Sequence, residues 1–372
     1  MKRISLFGFL WLSSIFLSAQ WSDYSMNFGG KTRQYRIYVP TSYTGNSSVP
    51  LVFTLHGLGD NAGNFSSINM NLVADTANFI IVCPQAFKDP FIGTAWNSRA
   101  GFSGYYPSSN INDIGFIGAL IDSVSARYQI DHTRIYSCGF SMGGFMTERL
   151  ACEYNGRFAA FASVAGTFGN GLSSCNPDRA IPVAHFHGTA DQTVGYHDNS
   201  YGNSADSLVR FWVTNNQLDT SPQVETLPDI ASDGYTIDHF TYSSPGKKVV
   251  ELFRVNNADH VWLTTSNDID YSTEIWRFFS RHNNLTAGIN TYDKGKRLQI
   301  FPNPGSGKIH LKNTGFTVPG KILIKTYTGQ FVQEIAANTE DVDISIADFS
   351  AGSYVLELHR VTDVQVERFV IK

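Results

Sequence analysis

One ten-residue stretch constrains this chain more than any other: Tyr136-Ser137-Cys138-Gly139-Phe140-Ser141-Met142-Gly143-Gly144-Phe145. A β-branched and aromatic run, Arg134-Ile135-Tyr136, collapses into glycines around one serine and continues as a helix-compatible segment from Met142 to Cys152. Strand, sharp turn and helix in that order, with Gly139-Phe140-Ser141-Met142-Gly143 matching G-x-S-x-G, form a nucleophile elbow. The turn is so tight that a side chain on either flank would meet the neighbouring strand or helix, so glycine is needed on both sides. The Ser141 hydroxyl is thereby held above a sheet edge. The N–H of Met142, opening the helix, points where a carbonyl oxygen would become negative in acyl transfer.

An elbow needs a sheet to carry it, and the flanking sequence supplies one. Ser22 to Pro40 alternates around Gly29-Gly30-Lys31 as an antiparallel hairpin. Pro50 to Gly57 is a continuous apolar strand ending in glycine, as a doubly covered parallel strand should be. Helical spacing over Ile68 to Phe79, the strand Ile80 to Pro84, an aromatic connection from Gln85 to Asn110 and a helix from Asp113 to Tyr128 lead into the elbow strand. Further strands are expected over Phe158 to Ala165, Ile181 to His187 and Lys248 to Val255, with helices near Ser204 to Asn216 and Tyr271 to Arg281. Strands alternating with helices at this spacing imply a mainly parallel α/β sheet.

A serine is a poor nucleophile at neutral pH and needs a base, which in turn needs an orienting acid. In α/β-hydrolases these follow in the order serine, acid, histidine, each on a loop after a strand. The loop leaving Ile181 to His187 carries Asp191, and the loop leaving Lys248 to Val255 carries His260, the only histidine in that loop. Asp259 ranks second as the acid, because adjacent residues rarely face each other. The second oxyanion donor belongs on the loop after the central strand, His56-Gly57-Leu58-Gly59-Asp60-Asn61, where the N–H of Leu58 is expected to join that of Met142. His56 reads as structural, and His185 with His187, on one strand face, as packed beside the sheet without a third metal ligand.

The chain of 372 residues is long enough for more than one domain, and its net charge of -4 with no basic run excludes nucleic acid and anionic membrane as natural partners. Met1-Lys2-Arg3, an apolar run to Leu17 and Ser18-Ala19-Gln20 read as a secretory signal peptide over 1–19, cleaved after Ala19. Export permits disulfides, and the four cysteines, Cys83, Cys138, Cys152 and Cys175, show no paired C-x-x-C that would suggest structural zinc. After His282 the register changes. Residues 283–296 form a polar linker, and beyond it every apolar run is short and strand-like, a small all-β sandwich over 297–372.

His56-Gly57, Trp96-Asn97, Asp113-Ile114-Gly115-Phe116-Ile117, the Gly139 to Gly144 elbow, the run His185 to Asp191, and His260 with Trp262 together resemble the secreted esterase and polyhydroxybutyrate depolymerase family. That group is similar to carbohydrate esterase family one, with its feruloyl and acetylxylan esterases. The resemblance implies an α/β-hydrolase domain over 20–282, a Ser141-Asp191-His260 triad working through an acyl-enzyme, and no metal or organic cofactor. The tail, with Phe301-Pro302-Asn303-Pro304, Tyr327-Thr328-Gly329-Gln330, Ala351 to Leu356 and Arg368 to Lys372, resembles the C-terminal sorting domain of the type IX secretion system in Bacteroidota. It implies that the export machinery is a partner and that the protein is extracellular or at the cell surface.

In this fold Cys152, in the helix after the elbow, and Cys175, in the loop beyond the next strand, are expected to bond. Cys83 and Cys138 sit on strands with the His56 strand between them, too far apart to bridge. The aromatic connection from Gln85 to Asn110, with Trp96, and Trp262 beside His260 are the expected substrate contacts, suited to a hydroxycinnamoyl ring or a sugar. Esters of plant cell-wall polysaccharide are therefore the expected substrates. A polyester depolymerase and a non-catalytic surface binding protein are the alternatives.

Overall fold

The computed structural model describes residues 20–101, 103–169, 171–197, 200–284, 298–313, 320–326, 331–337, 339, 341–359 and 364–372. The expected signal peptide and most of the expected linker lie outside these residues. The chain divides into two compact units, Met1–Gly288 and Ile289–Lys372.

In the first unit the Gly29-Gly30 turn closes an antiparallel hairpin of β1 (Gln20–Phe28) and β2 (Lys31–Val39), both glycines having positive φ. Next come β3 (Val49–Leu55), α1 (Ala62–Phe65), α2 (Met70–Ala77), β4 (Ile80–Pro84), a short hairpin of β5 (Phe87–Asp89) and β6 (Gly93–Ala95), and α3 (Asp113–Ser125). The elbow strand β7 (Ile130–Phe140) runs into α4 (Met142–Glu153), followed by β8 (Ala160–Val164), β9 (Val183–Gly188), α5 (Ala205–Asn215), β10 (Gln223–Thr226), β11 (Thr236–Tyr242), β12 (Val250–Asn256) and α6 (Tyr271–Ser280). The sheet order is β1-β2-β4-β3-β7-β8-β9-β12-β11-β10, with β4, β3, β7, β8, β9 and β12 parallel. Every residue of β3, β4, β8 and β9 is buried, because helices cover both faces of the central strands, and this is why these strands read as unbroken apolar runs.

Two strands of this sheet were not expected. β10 and β11 extend the sheet antiparallel beyond β12. All four residues of β10 are exposed, and β11 buries only Ile237, so neither carries the apolar run that marks a central strand. Edge strands need only backbone pairing on one side and leave little side-chain pattern to read.

The second unit is a β domain of β13 (Leu298–Ser306), β14 (Lys308–Asn313), β15 (Gly320–Thr326), β16 (Phe331–Ala337), β17 (Asp341–Ser345), β18 (Gly352–His359) and β19 (Val364–Ile371). They follow the order β16-β15-β18-β19-β13-β14-β17 around a core that includes Ile309, Ile322, Ile324, Leu356 and Phe369. Among the described residues no helix is long and apolar enough to cross a membrane.

Candidate active site

Ser141 stands between β7 and α4 with φ 55° and ψ -123°, a left-handed conformation that costs a non-glycine residue roughly 1–3 kcal/mol. The neighbouring glycines allow it. A Cβ on Gly139 would lie 2.2 Å from the Gly143 carbonyl oxygen, and one on Gly143 would lie 2.0 Å from that of Leu55, so α4 sits directly on the β3 backbone. Gly166, after β8, closes the other side, where a Cβ would fall 2.5 Å from the Ser141 carbonyl oxygen. The Ser141 N–H donates to Val164 O, and its carbonyl accepts from Phe145 N–H to begin the helix. With both backbone groups of Ser141 committed, the hydroxyl is held at the head of α4.

The candidate acid and base sit on loops fastened to each other. β9 and β12 are parallel neighbours, and beyond them Thr189 N–H donates to Val255 O, Ala190 N–H to Ala258 O, and Asn257 N–H to Thr189 Oγ1. Gly188 is required here, since a Cβ would lie 2.2 Å from Ala258 O. Asp191 is buried, and His260 Nδ1 donates to its Oδ2 at 2.7 Å. Its Oδ1 accepts from Thr193 N–H at 2.9 Å and Val194 N–H at 2.8 Å. Burial opposes ionisation of this carboxyl, but bonds from His187, His260 and Val194 N–H outweigh it and hold it well below the usual carboxylate range. Because Nδ1–H is given to Asp191, the His260 Nε2 keeps a lone pair. The His260 ring lies 4.7 Å from that of Phe140, the residue preceding Ser141. Asp259, the second-ranked acid, accepts instead from Gln192 N–H and His260 N–H and so pins one loop to the other.

The loop after β3 approaches the serine closely: a Cβ on Gly57 would lie 3.4 Å from Ser141 Cβ. His56 is fully buried, its Nε2 accepting from Ala86 N–H at 3.1 Å while its Nδ1–H donates to Gly57 O at 2.7 Å. Burial lowers the pKa of this imidazole and keeps it neutral. Among the described residues neither the Leu58 nor the Met142 N–H has a protein acceptor. Both are therefore available to a ligand.

Trp96 is not a substrate contact. It is fully buried, its Nε1 donates to His56 O at 2.8 Å, and its ring packs on His56, so the large aromatic supports the loop from beneath. The following N–H, of Asn97, donates to Asp113, which is ion-paired with Arg33 at 2.6 Å in the interior, so this motif anchors the aromatic connection to α3. Among the described aromatics of this connection Phe91 is the most exposed, 79% accessible at the tip of the β5–β6 hairpin and edge-on to Tyr105. Asp89 holds this tip, accepting from the Tyr105 hydroxyl and from Phe91, Ile92 and Ser108 N–H groups. Gly59 N–H donates to Thr94 O, which ties the hairpin to the Leu58 loop. Trp262 is partly buried against Phe65, Phe140 and Tyr271.

The Cys152 and Cys175 sulfurs are bonded, with Cα atoms 5.5 Å apart, while Cys83 and Cys138 are buried thiols on β4 and β7 with β3 between them.

Residues 33–190 match the family described as Esterase PHB depolymerase. The match stops just before Asp191 and does not reach His260. Residues 299–372 match the family described as Secretion system C-terminal sorting domain. A bifunctional acetylxylan esterase/xylanase of Neocallimastix patriciarum is 30% identical over 169 residues, 45% of this chain and 22% of that protein. A poly(3-hydroxybutyrate) depolymerase of Ralstonia pickettii is 31% identical over 325 residues, 74% of this chain and 62% of that protein. The chain thus spans only part of either relative. The acetyl xylan esterase structure from Aspergillus awamori superposes with a TM-score of 0.50 at 15% identity, covering 70% of this chain and 99% of that one, and so shares its fold over that part.

Proposed function

We propose that the chain is an exported serine carboxylesterase in which Ser141 is the nucleophile, His260 its base and Asp191 the acid that orients the base. The observation that carries this reading is the 2.7 Å bond from His260 Nδ1 to Asp191 Oδ2, beside a serine held in a left-handed turn at a helix start. His260 Nε2 takes the Ser141 proton as Oγ bonds to the ester carbonyl carbon, and the displaced carbonyl electron pair becomes an oxyanion facing the N–H groups of Leu58 and Met142. Collapse breaks the bond to the alcohol, which departs with the proton from His260. Water then repeats the sequence and releases the acid from Ser141. These side chains and one water complete each step. Replacing Ser141 with Ala should abolish hydrolysis of a p-nitrophenyl ester in a folded protein; retained turnover would refute the assignment.

For substrate, we favour feruloyl or acetyl esters of plant cell-wall polysaccharide. The acetylxylan esterase relative and the exposed Phe91 on a hairpin tied to the Leu58 loop support this reading. A polyester depolymerase is the second reading, favoured by the poly(3-hydroxybutyrate) depolymerase relative, which aligns over more of the chain. Methyl ferulate, acetylated xylan and a polyhydroxybutyrate suspension, assayed side by side, separate them: clearing of the polymer without release of ferulate or acetate would select the second. The sorting-domain match supports export by the type IX machinery to the cell surface or beyond.

A further inference from the structure

The two histidines of β9 form a chain of hydrogen bonds that ends on the candidate acid. His185 and His187 are both buried, with His185 Nε2 lying 3.1 Å from His187 Nδ1. His187 Nε2 lies 2.7 Å from the carbonyl oxygen of Val194 and 3.3 Å from Asp191 Oδ2. A carbonyl only accepts, so His187 Nε2 must carry the proton. A neutral His187 then has a bare Nδ1, which accepts from His185 Nε2–H. For a neutral His187, this one carbonyl therefore also sets the tautomer of His185.

The consequence reaches the turn from 191 to 194. Val194 N–H donates to Asp191 Oδ1, while Val194 O accepts from His187, so the histidine grips both the carboxylate and the turn that holds it. Oδ2 faces two imidazole N–H groups, those of His260 and His187, and Oδ1 faces two backbone N–H groups. Three hydrogen bonds, from His260, Thr193 and Val194, hold the carboxylate, and the His187 Nε2–H, whose principal acceptor is Val194 O, lies near enough to Oδ2 to make a weaker fourth contact.

We propose that His187 is a positioning residue of the hydrolytic site: its Nε2–H, placed there by the Val194 carbonyl, aims Asp191 Oδ2 at His260 and draws charge from it. This rests on the triad reading given above. Removing the donor concentrates negative charge on Asp191, which favours the imidazolium form of His260. The acid limb of the kcat/KM profile must therefore move to higher pH.

The test compares wild-type enzyme with His187→Phe, which retains a ring without a donor, and His187→Gln, which restores an amide N–H. Rates on p-nitrophenyl acetate are normalised to sites titrated with a fluorophosphonate. His187→Phe should lower kcat by about ten- to a hundredfold, the loss of one hydrogen bond to a charged group. KM should change little, the acid limb should move up, and His187→Gln should recover part of both effects. A merely structural histidine would reduce the number of titratable sites but leave the rate per site and the pH profile unchanged, which would overturn the proposal. Should the Phe variant not fold, histidine 15N NMR of the wild type decides: His187 must show a protonated Nε2 and a bare Nδ1, and any other state refutes it. If the wild type neither labels nor turns over, the triad reading itself fails, an outcome distinct from an active wild type with an indifferent His187→Phe.

Discussion

His56 Nδ1 lies 2.7 Å from the carbonyl oxygen of Gly57, and that bond sets the direction of the next N–H in the chain. In a trans peptide the C=O and the following N–H point opposite ways. Anchoring Gly57 O to the buried imidazole therefore turns the Leu58 N–H away from it. Gly57 abuts Ser141, so under the proposed mechanism that N–H serves the oxyanion formed there. His56→Phe keeps the ring packed on Trp96 but removes the donor. The expected result is a fall in kcat of about a hundredfold, as for loss of one oxyanion donor, with KM little changed. Steady-state kinetics on p-nitrophenyl acetate, normalised by active-site titration, measures it.

Glu148, on α4, is fully buried, with one oxygen accepting from Trp212 Nε1 at 2.8 Å and the other without a partner among the described residues. Burial pushes its carboxyl up to about 8. The folded state therefore holds a proton that the unfolded state releases near the ordinary glutamate value. Stability is fully present below that value and is lost as pH rises through it towards 8, at up to about 1.4 kcal/mol per pH unit. Thermal melts from pH 5 to 8 should show this decline, and Glu148→Gln should flatten it. An unchanged slope in the variant would mean that Glu148 is ionised in the fold.

The Cys152–Cys175 bond closes a separation of 23 residues between α4 and the loop beyond β8. Replacing both cysteines with alanine should cost about 3 kcal/mol, measured by urea unfolding. Cys83 and Cys138, buried in the sheet, should remain unreactive to a thiol reagent until the protein unfolds. Burial raises both thiol pKa values, Cys83 to about 12, which also suppresses the reactive thiolate.

Asn284 closes the described part of the first unit: its N–H donates to Thr133 O and its side chain to Gly156 O. A chain ending at Asn284 keeps both bonds. It should turn over a small soluble ester at the full-length rate while failing to be exported by its native host. A large loss of turnover would show that the tail contributes to catalysis.

The elbow was legible because its glycines answer to backbone contacts: Gly139 and Gly143 each stand where a Cβ would meet a carbonyl oxygen. Asp191 and His260 were legible because each follows a buried strand at the same end of a parallel sheet, so chain order alone brought them together. The burial of Trp96 was not. A tryptophan in an aromatic loop reads alike whether its ring faces substrate or, as here, lies under His56. Nor was the part played by His187, since two histidines on one strand face carry no sign of the carbonyl that fixes their protons. The spacing of His185 and His187 just ahead of the acid loop was the available clue. β10 and β11 escaped because an edge strand imposes almost no pattern on its side chains.

The central claim is that Ser141 is an activated nucleophile. The most direct measurement is the intact mass and peptide map of the wild-type protein after treatment with a fluorophosphonate. The account predicts a single adduct, located on Ser141, and none in Ser141→Ala. A wild-type protein that turns over esters yet carries its adduct on another residue, or carries none, would contradict it.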